Sequence, residues 1–249
     1  MISYEFPLNE RVRTMLRLED LFSRLDQLVK GDDHCGHHMA LSVIFEILEV
    51  TSRGELKSDL LQELERQKRI LAARRNNPEI SEDALDNMLG NIETVSSQLL
   101  AFSGKIGQHI RENEWLMLIK QRAGIPGGMC EFDLPSYHYW QHQDASVRRQ
   151  HMEEWISPMR PIYDALKILL KLLRENCKSH QFTAQKGSFQ QMQGGRMAQM
   201  LRVTLDRELP CIPEISANKY ALNIRFVAAD YAAKSTLYDQ DVEFKLIFC

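Results

Sequence analysis

Six consecutive positions, Asp33-His34-Cys35-Gly36-His37-His38, bring three imidazoles, a thiol and a carboxylate together. These are the donor types that zinc and similar metals take. A structural zinc site pairs two well-spaced ligand couples, however, and no matching CxxC or HxxxH lies near this run. Farther along, His138 and His142 stand four apart and fit one helical face, but Tyr137, Tyr139 and Trp140 surround them. A polar loop between helices and an aromatic-rich core helix is therefore the preferred reading. A metal-binding protein using His34, Cys35, His37 and His38 stands as the alternative, and no cofactor is expected. The chain contains no GxSxG, GxxxxGK[ST], HExxH or GxGxxG, the motifs that place nucleophiles, phosphates, zinc or dinucleotides. Ile125-Pro126-Gly127-Gly128 reads as a tight turn rather than a phosphate loop, because no Lys or Ser/Thr follows and a strand, not a helix, is expected after it. No active site is assembled, and the chain is read as non-enzymatic.

The elements that position these groups are mostly helical in the first two thirds. Asn9 is a good N-cap, and Val12, Met15, Leu16, Leu21, Leu25 and Leu28 follow at three- and four-residue spacing. A second helix is expected from Asp33 or His37 to Val50. A third, over 56–75, carries Leu60, Leu61, Leu64, Ile70 and Leu71 on one side and Glu63, Glu65, Arg66, Lys68 and Arg69 on the other, and Asn76-Asn77-Pro78 stops it. Ser81-Glu82-Asp83 caps a fourth, with acidic residues in the first turn as the helix dipole prefers. Shorter helices are expected over 106–112, 113–123, 135–140, 146–156 and 161–177, with a short strand over 130–134 that can join the sheet.

From Phe182 onward the period becomes that of strands, over 182–192, 200–206, 220–227 and 241–248, punctuated by Gly194-Gly195 and by Pro210 to Pro213. Ile2-Ser3-Tyr4-Glu5-Phe6 also alternates and is expected to join that sheet from the far end of the chain. The fold class is α+β, with a helical domain over 8–180 and an antiparallel sheet domain made of 1–7 plus 181–249. Alternation places Tyr220, Leu222, Ile224 and Phe226 inward and Lys219, Ala221, Asn223, Arg225 and Val227 outward. The same rule turns Arg202 and Thr204, and Glu243 and Lys245, away from the core. If these strands are neighbours, Lys219, Arg225, Arg202 and Lys245 share one basic outer face. The plain account is that charge on the outer face keeps a one-sided sheet soluble.

The 249 residues carry 31 Lys and Arg against 34 Asp and Glu, for a net charge of −3. That balance argues against broad nucleic-acid binding. The length allows one large domain or two small ones at roughly 150 residues each. The richest apolar run, 162–173, is broken by Asp164, Lys167 and Lys171, so no membrane span is expected. The first residues lack the basic start and apolar stretch of a secretory signal, which predicts a cytoplasmic location. Five scattered cysteines, Cys35, Cys130, Cys177, Cys211 and Cys249, read as free thiols in a reducing compartment.

Phe6-Pro7-Leu8-Asn9-Glu10-Arg11 with Arg13-Thr14 and Leu16-Arg17, then Arg53-Gly54-Glu55 leading to Leu60-Leu61-Gln62-Glu63-Leu64, resemble the opening of the ZapD family of cell division proteins. The likeness continues through Ile106-Gly107-Gln108, Arg111-Glu112, Gln121-Arg122, Ile125-Pro126-Gly127-Gly128, Phe132-Asp133-Leu134-Pro135, His138 and Trp140, and ends at Ile224-Arg225-Phe226. It spans nearly the whole chain. The resemblance implies a cytoplasmic bacterial homodimer that binds the C-terminal tail of FtsZ, the tubulin-like GTPase. It further implies crosslinking of FtsZ filaments in the ring at midcell, without catalysis, to promote ring assembly and septum formation. The family's tail-binding surface is basic. Arg225 carries this over by direct match, and Lys219, Lys120, Arg122 and Arg111, with Arg202 and Lys245 from the strand pattern, complete the expected patch. Ala221 and Glu114 depart from the pattern, standing where a further arginine would be natural. Binding of some other acidic partner by the same face is a third reading.

Overall fold

Asn9 starts the first helix as its side chain predicts: its Oδ1 accepts a hydrogen bond from the Val12 N–H at 2.8 Å. In the computed structural model the chain runs β1 (Ile2–Pro7), α1 (Glu10–Lys30), α2 (His34–Thr51), α3 (Leu56–Ala72), α4 (Glu82–Ala101), α5 (Gln108–Arg111), α6 (Glu114–Ala123), α7 (Pro135–Gln141), α8 (Ala145–Ile156) and α9 (Arg160–Glu175). It continues through β2 (Lys178–Ala184), β3 (Ser188–Met192), β4 (Met200–Leu205), β5 (Cys211–Ala217), β6 (Ala221–Ala228) and β7 (Val242–Phe248). The structure describes residues 1–52, 55–75, 81–102, 104–175, 177–192, 198–218, 220–230 and 236–249. Arg53-Gly54, the stop signal Asn76-Asn77-Pro78, the Gly194-Gly195 break and Lys219 lie outside the described residues. Among the described residues no helix is long and apolar enough to cross a membrane.

Two compact units result, Arg17–Leu170 and Met1–Leu16 with Lys171–Cys249. In the helical unit, Leu60 and Leu64 of α3 and Leu85, Leu89, Ile92 and Leu99 of α4 are buried at three-, four- and seven-residue spacing. Each fully buried leucine or isoleucine contributes roughly 1.5–3 kcal/mol. The stripe on α3 is rotated from the expected one: Glu63 and Gln67 are buried, whereas Leu61 and Ile70 are only half-buried. Glu63 is satisfied there, accepting from Arg66 Nε at 2.9 Å and from Gln67 Nε2 at 2.9 Å, which is what makes burial of its charge tolerable. Residues 130–134, expected as a strand, are turn and loop. The apolar alternation there has no neighbouring strand to pair with.

The sheet unit holds two antiparallel sheets, ordered β1-β4-β7-β2 and β3-β6-β5. The strand β1 joins the first as expected, Tyr4 opposite Val203 and Phe6 opposite Leu201. The stretch expected as one strand over 182–192 is a hairpin, β2 turning into β3 at Lys186 and Gly187, both with positive φ. Gly187 is required at that turn, since a Cβ would lie 2.3 Å from the Tyr238 carbonyl oxygen. Leu201, Val203, Phe244 and Leu246 from one sheet and Leu222, Ile224 and Phe226 from the other form a single core. In it the Phe226 and Phe244 rings lie 5.0 Å apart. The strand β5 was not expected, because Pro213 sits inside it. It is an edge strand, where a missing N–H is tolerated.

Candidate functional site

The histidine-rich run divides along α2. Asp33 caps the helix, its carboxylate accepting from the Gly36 N–H at 2.8 Å. Asp33, His34 and Cys35 are exposed, with ligand atoms within 4.8 Å of one another. His37 and His38 turn away from them. His37 is fully buried: its Nε2 donates to the Gly31 carbonyl at 2.8 Å and its Nδ1 accepts from Arg148 Nε at 2.8 Å. His38 Nδ1 is hydrogen-bonded to the Tyr137 hydroxyl at 2.7 Å. The four expected ligands therefore do not converge, and two of them are committed to the helical core. The His138 and His142 rings lie 4.3 Å apart, tilted 48° to one another, and His142 Nδ1 is bonded to the His138 carbonyl oxygen.

Within the helical unit the expected basic residues have different fates. Arg111 is structural: its guanidinium donates to the Ile106 carbonyl and, at 3.0 Å, to the Leu48 carbonyl. Lys120 Nζ is held by Glu49 at 2.6 Å, a partner 71 positions away that no local pattern announces. Arg122 pairs more loosely with Asp133 at 3.5 Å and stays partly exposed. Beside it in the chain, Ile125-Pro126-Gly127-Gly128 forms a tight turn in which the Gly128 N–H donates to the Ile125 carbonyl at 2.9 Å. Gly127 has φ +71°, and a Cβ at Gly128 would lie 2.6 Å from the Arg122 carbonyl oxygen. Pro followed by a residue of positive φ is the type II signature. The turn leaves Ile125 exposed, and Phe132, next to Asp133, is 80% exposed. A cation beside uncovered apolar side chains is the make-up of a peptide-binding surface.

In the sheet unit Arg225 is on β6, its side chain 60% exposed and 3.8 Å from Glu214 of the neighbouring β5. Arg202 and Lys245 belong to the other sheet, on β4 and β7. The single outer face expected from alternation is thus divided between two sheets. Lys245 is exposed, but Arg202 is engaged, its Nη2 2.8 Å from a Glu5 oxygen while Arg174 holds the other oxygen at 2.8 Å. Burial raises the Glu5 carboxyl, and the hydrogen bonds and charges of Arg174 and Arg202 outweigh it and leave the group below its ordinary value. The inward face follows expectation at Leu222, Ile224 and Phe226, whereas Tyr220 is exposed and Val227, expected outward, is buried beside Leu237. Glu214 was missed by sequence reading because its strand was missed.

The fold and these surfaces define an α+β protein of a helical and a sheet unit that presents exposed cations, one of them beside uncovered apolar groups. The family model for ZapD, described as a cell division protein, matches residues 16–225. Over 250 residues the chain is 56% identical to the cell division protein ZapD of Chromobacterium violaceum, covering 100% of this chain and 99% of that one. The counterparts from an Azoarcus species and from Nitrosomonas europaea are 54% and 49% identical, each over all of this chain and over 99% and 95% of their own lengths. The chain belongs to the ZapD family of cell division proteins.

Proposed function

We propose that the chain is a non-enzymatic, cytoplasmic factor of the midcell division ring that binds the C-terminal tail of FtsZ. Acting as a homodimer, it crosslinks FtsZ filaments and so promotes ring assembly and septum formation. Family membership supports the setting. The observation that carries the binding role is the exposed Arg225 within Ile224-Arg225-Phe226, whose flanking residues are both fully buried. The strand fixes where that side chain leaves the sheet, its loose pairing with Glu214 at 3.8 Å leaves it open to another carboxylate, and Arg can pair bidentately with one. Lys245, exposed on the same unit, is a further cation for a short acidic peptide; Arg122 with the exposed Ile125 and Phe132 is a separate candidate surface on the helical unit. Lys120 can contribute only by leaving Glu49, whereas Arg111 and Arg202 act by holding the fold.

Co-sedimentation with polymerised FtsZ tests this: bundle yield should rise with the full chain and return to the baseline with FtsZ lacking its tail. Unchanged bundling of tailless FtsZ would sink the reading. In a titration with the tail peptide, Arg225→Glu should weaken binding about tenfold or more, as loss of a charged contact costs roughly 1.5–3 kcal/mol. Equal affinities remove Arg225 from the site.

A further inference from the structure

Cys249 follows the last residue of β7, and its backbone is turned toward β4. Its N–H donates to the Met200 carbonyl at 2.8 Å, and the Met200 N–H donates back at 3.1 Å. On its other side β7 pairs with β2, where Phe248 stands opposite Lys178. One step further along the same antiparallel register, Cys249 faces Cys177. Because the Cys249 polar groups point to β4, this is a non-hydrogen-bonded pair. Such pairs have Cα atoms about 4.5 Å apart and side chains on the same face. That separation lies inside the roughly 4.4–6.8 Å span of disulfides. The Cys177 thiol is near enough to act on that of Cys249, and Cys177 Sγ donates to the Leu173 carbonyl at 2.9 Å. Both side chains are half-buried, on the face of the sheet that carries the Glu5, Arg174 and Arg202 cluster.

We propose that Cys177 and Cys249 are a reversible dithiol–disulfide site, oxidised by a hydroperoxide and reduced by a small thiol, that fastens the start of β2 to the end of β7. Burial first, and then the Cys177 thiol, push the Cys249 thiol up to about 12, so Cys249 stays protonated near neutrality and Cys177 is the attacking sulfur. Its thiolate attacks the terminal peroxide oxygen, the O–O bond breaks, and the leaving oxygen departs after protonation as water from hydrogen peroxide or as an alcohol from an organic hydroperoxide. Cys177 is then a sulfenic acid. The Cys249 sulfur attacks the sulfenyl sulfur, the S–O bond breaks, and the Cys249 proton leaves with the hydroxide as water. Two thiols lose two electrons, and one hydroperoxide is reduced by two. Two equivalents of a small thiol reverse the step by exchange through a mixed disulfide. Cys35 and Cys130 are exposed in the helical unit and serve as internal competitors.

The test treats the full chain with hydrogen peroxide, alkylates the remaining thiols and maps the peptides by mass. The expected result is a peptide containing Cys177 joined to one containing Cys249, about 2 Da below their reduced sum, with both alkylated again after a small thiol is added. In Cys249→Ser the linked peptide should vanish, and a dimedone adduct should accumulate on Cys177. Recovery of Cys177 and Cys249 as separate alkylated peptides, while Cys35 or Cys130 is oxidised, would overturn the proposal. The mapping of the unmodified chain stands whether or not the variant folds.

Discussion

Arg148 ties several elements of the helical unit together. It is buried on α8, and among the described residues no carboxylate is paired with it. Its donors instead reach His37 Nδ1 at 2.8 Å, the Asp32 carbonyl at 2.6 Å, and the carbonyls of Gln141, at 2.9 Å, and Gln143. Four acceptors, on α2, on the end of α7 and on two loops, are thereby drawn to one point. Arg148→Ala would leave the buried His37 Nδ1 and three partly buried carbonyls without this donor, a loss expected at roughly 1–3 kcal/mol. Arg148→Lys should recover little, because a single ammonium cannot span the fork. All three tryptophans, Trp115, Trp140 and Trp155, lie in the helical unit, so urea unfolding followed by their fluorescence reads this loss directly.

The same contact sets a pH dependence. Burial holds the His37 imidazole below its ordinary value, the Gly31 carbonyl opposes this, and the Arg148 charge adds to the lowering; burial does the same at His38. The folded values lie below the unfolded one of about 6.5, so the unfolded chain takes up protons first. Stability is therefore full above about pH 6.5 and is lost as pH falls through the folded values. Urea midpoints should drop between about pH 7.5 and about pH 5, and His37→Gln, whose amide oxygen can still accept from Arg148, should flatten that drop. None of this was legible in the sequence. The run Asp33 to His38 looked like one cluster, and the partner that separates its members stands 111 positions from His37.

At the scale of elements, caps and turns were legible because their chemistry is local. Asn9 and Ser81, read as caps, each accept from a backbone N–H three residues on, and so do Asp33 and Asn113, which were placed only near helix starts. The Ile125 to Gly128 turn was also legible, and its two glycines are needed for different reasons, one for a positive φ and one for a close approach. Gly128→Ala should force the turn off the Arg122 carbonyl and cost about 1–3 kcal/mol. It should also weaken tail-peptide binding if Arg122, Ile125 and Phe132 contribute to the site; unchanged unfolding in urea would contradict the geometry. The strand β5 was illegible because proline weighs against a strand until the strand is known to be an edge. The expected strand over 130–134 failed for the converse reason: alternation makes a strand possible, and only a neighbour makes it one.

For the whole molecule, the net charge of −3 hides local positive groups such as Arg225 and Lys245. Exposed pairs of this kind are screened over a Debye length of about 10 Å at 0.1 M salt. Raising salt from about 0.05 to about 0.5 M should therefore weaken FtsZ bundling steeply. Salt-independent bundling would point to an apolar contact as the main one. Two tail sites on a homodimer would convert a modest affinity per tail into effective crosslinking, because filaments present many tails.

By itself the sequence determined the helical and sheet make-up, the caps and turns, the joining of β1 to the later strands, and the family, because each is written in residues a few positions apart or in motifs matched one by one. Only the tertiary structure decided that the strands form two sheets, that Arg225 is parted from Arg202 and Lys245, that Lys120 and Arg202 are already engaged, and that Cys177 faces Cys249. Alternation says which side of a strand a residue occupies and nothing of which strand lies beside it. That choice is made by long-range pairing and packing, where one register or another buries the same apolar face but brings different polar groups together.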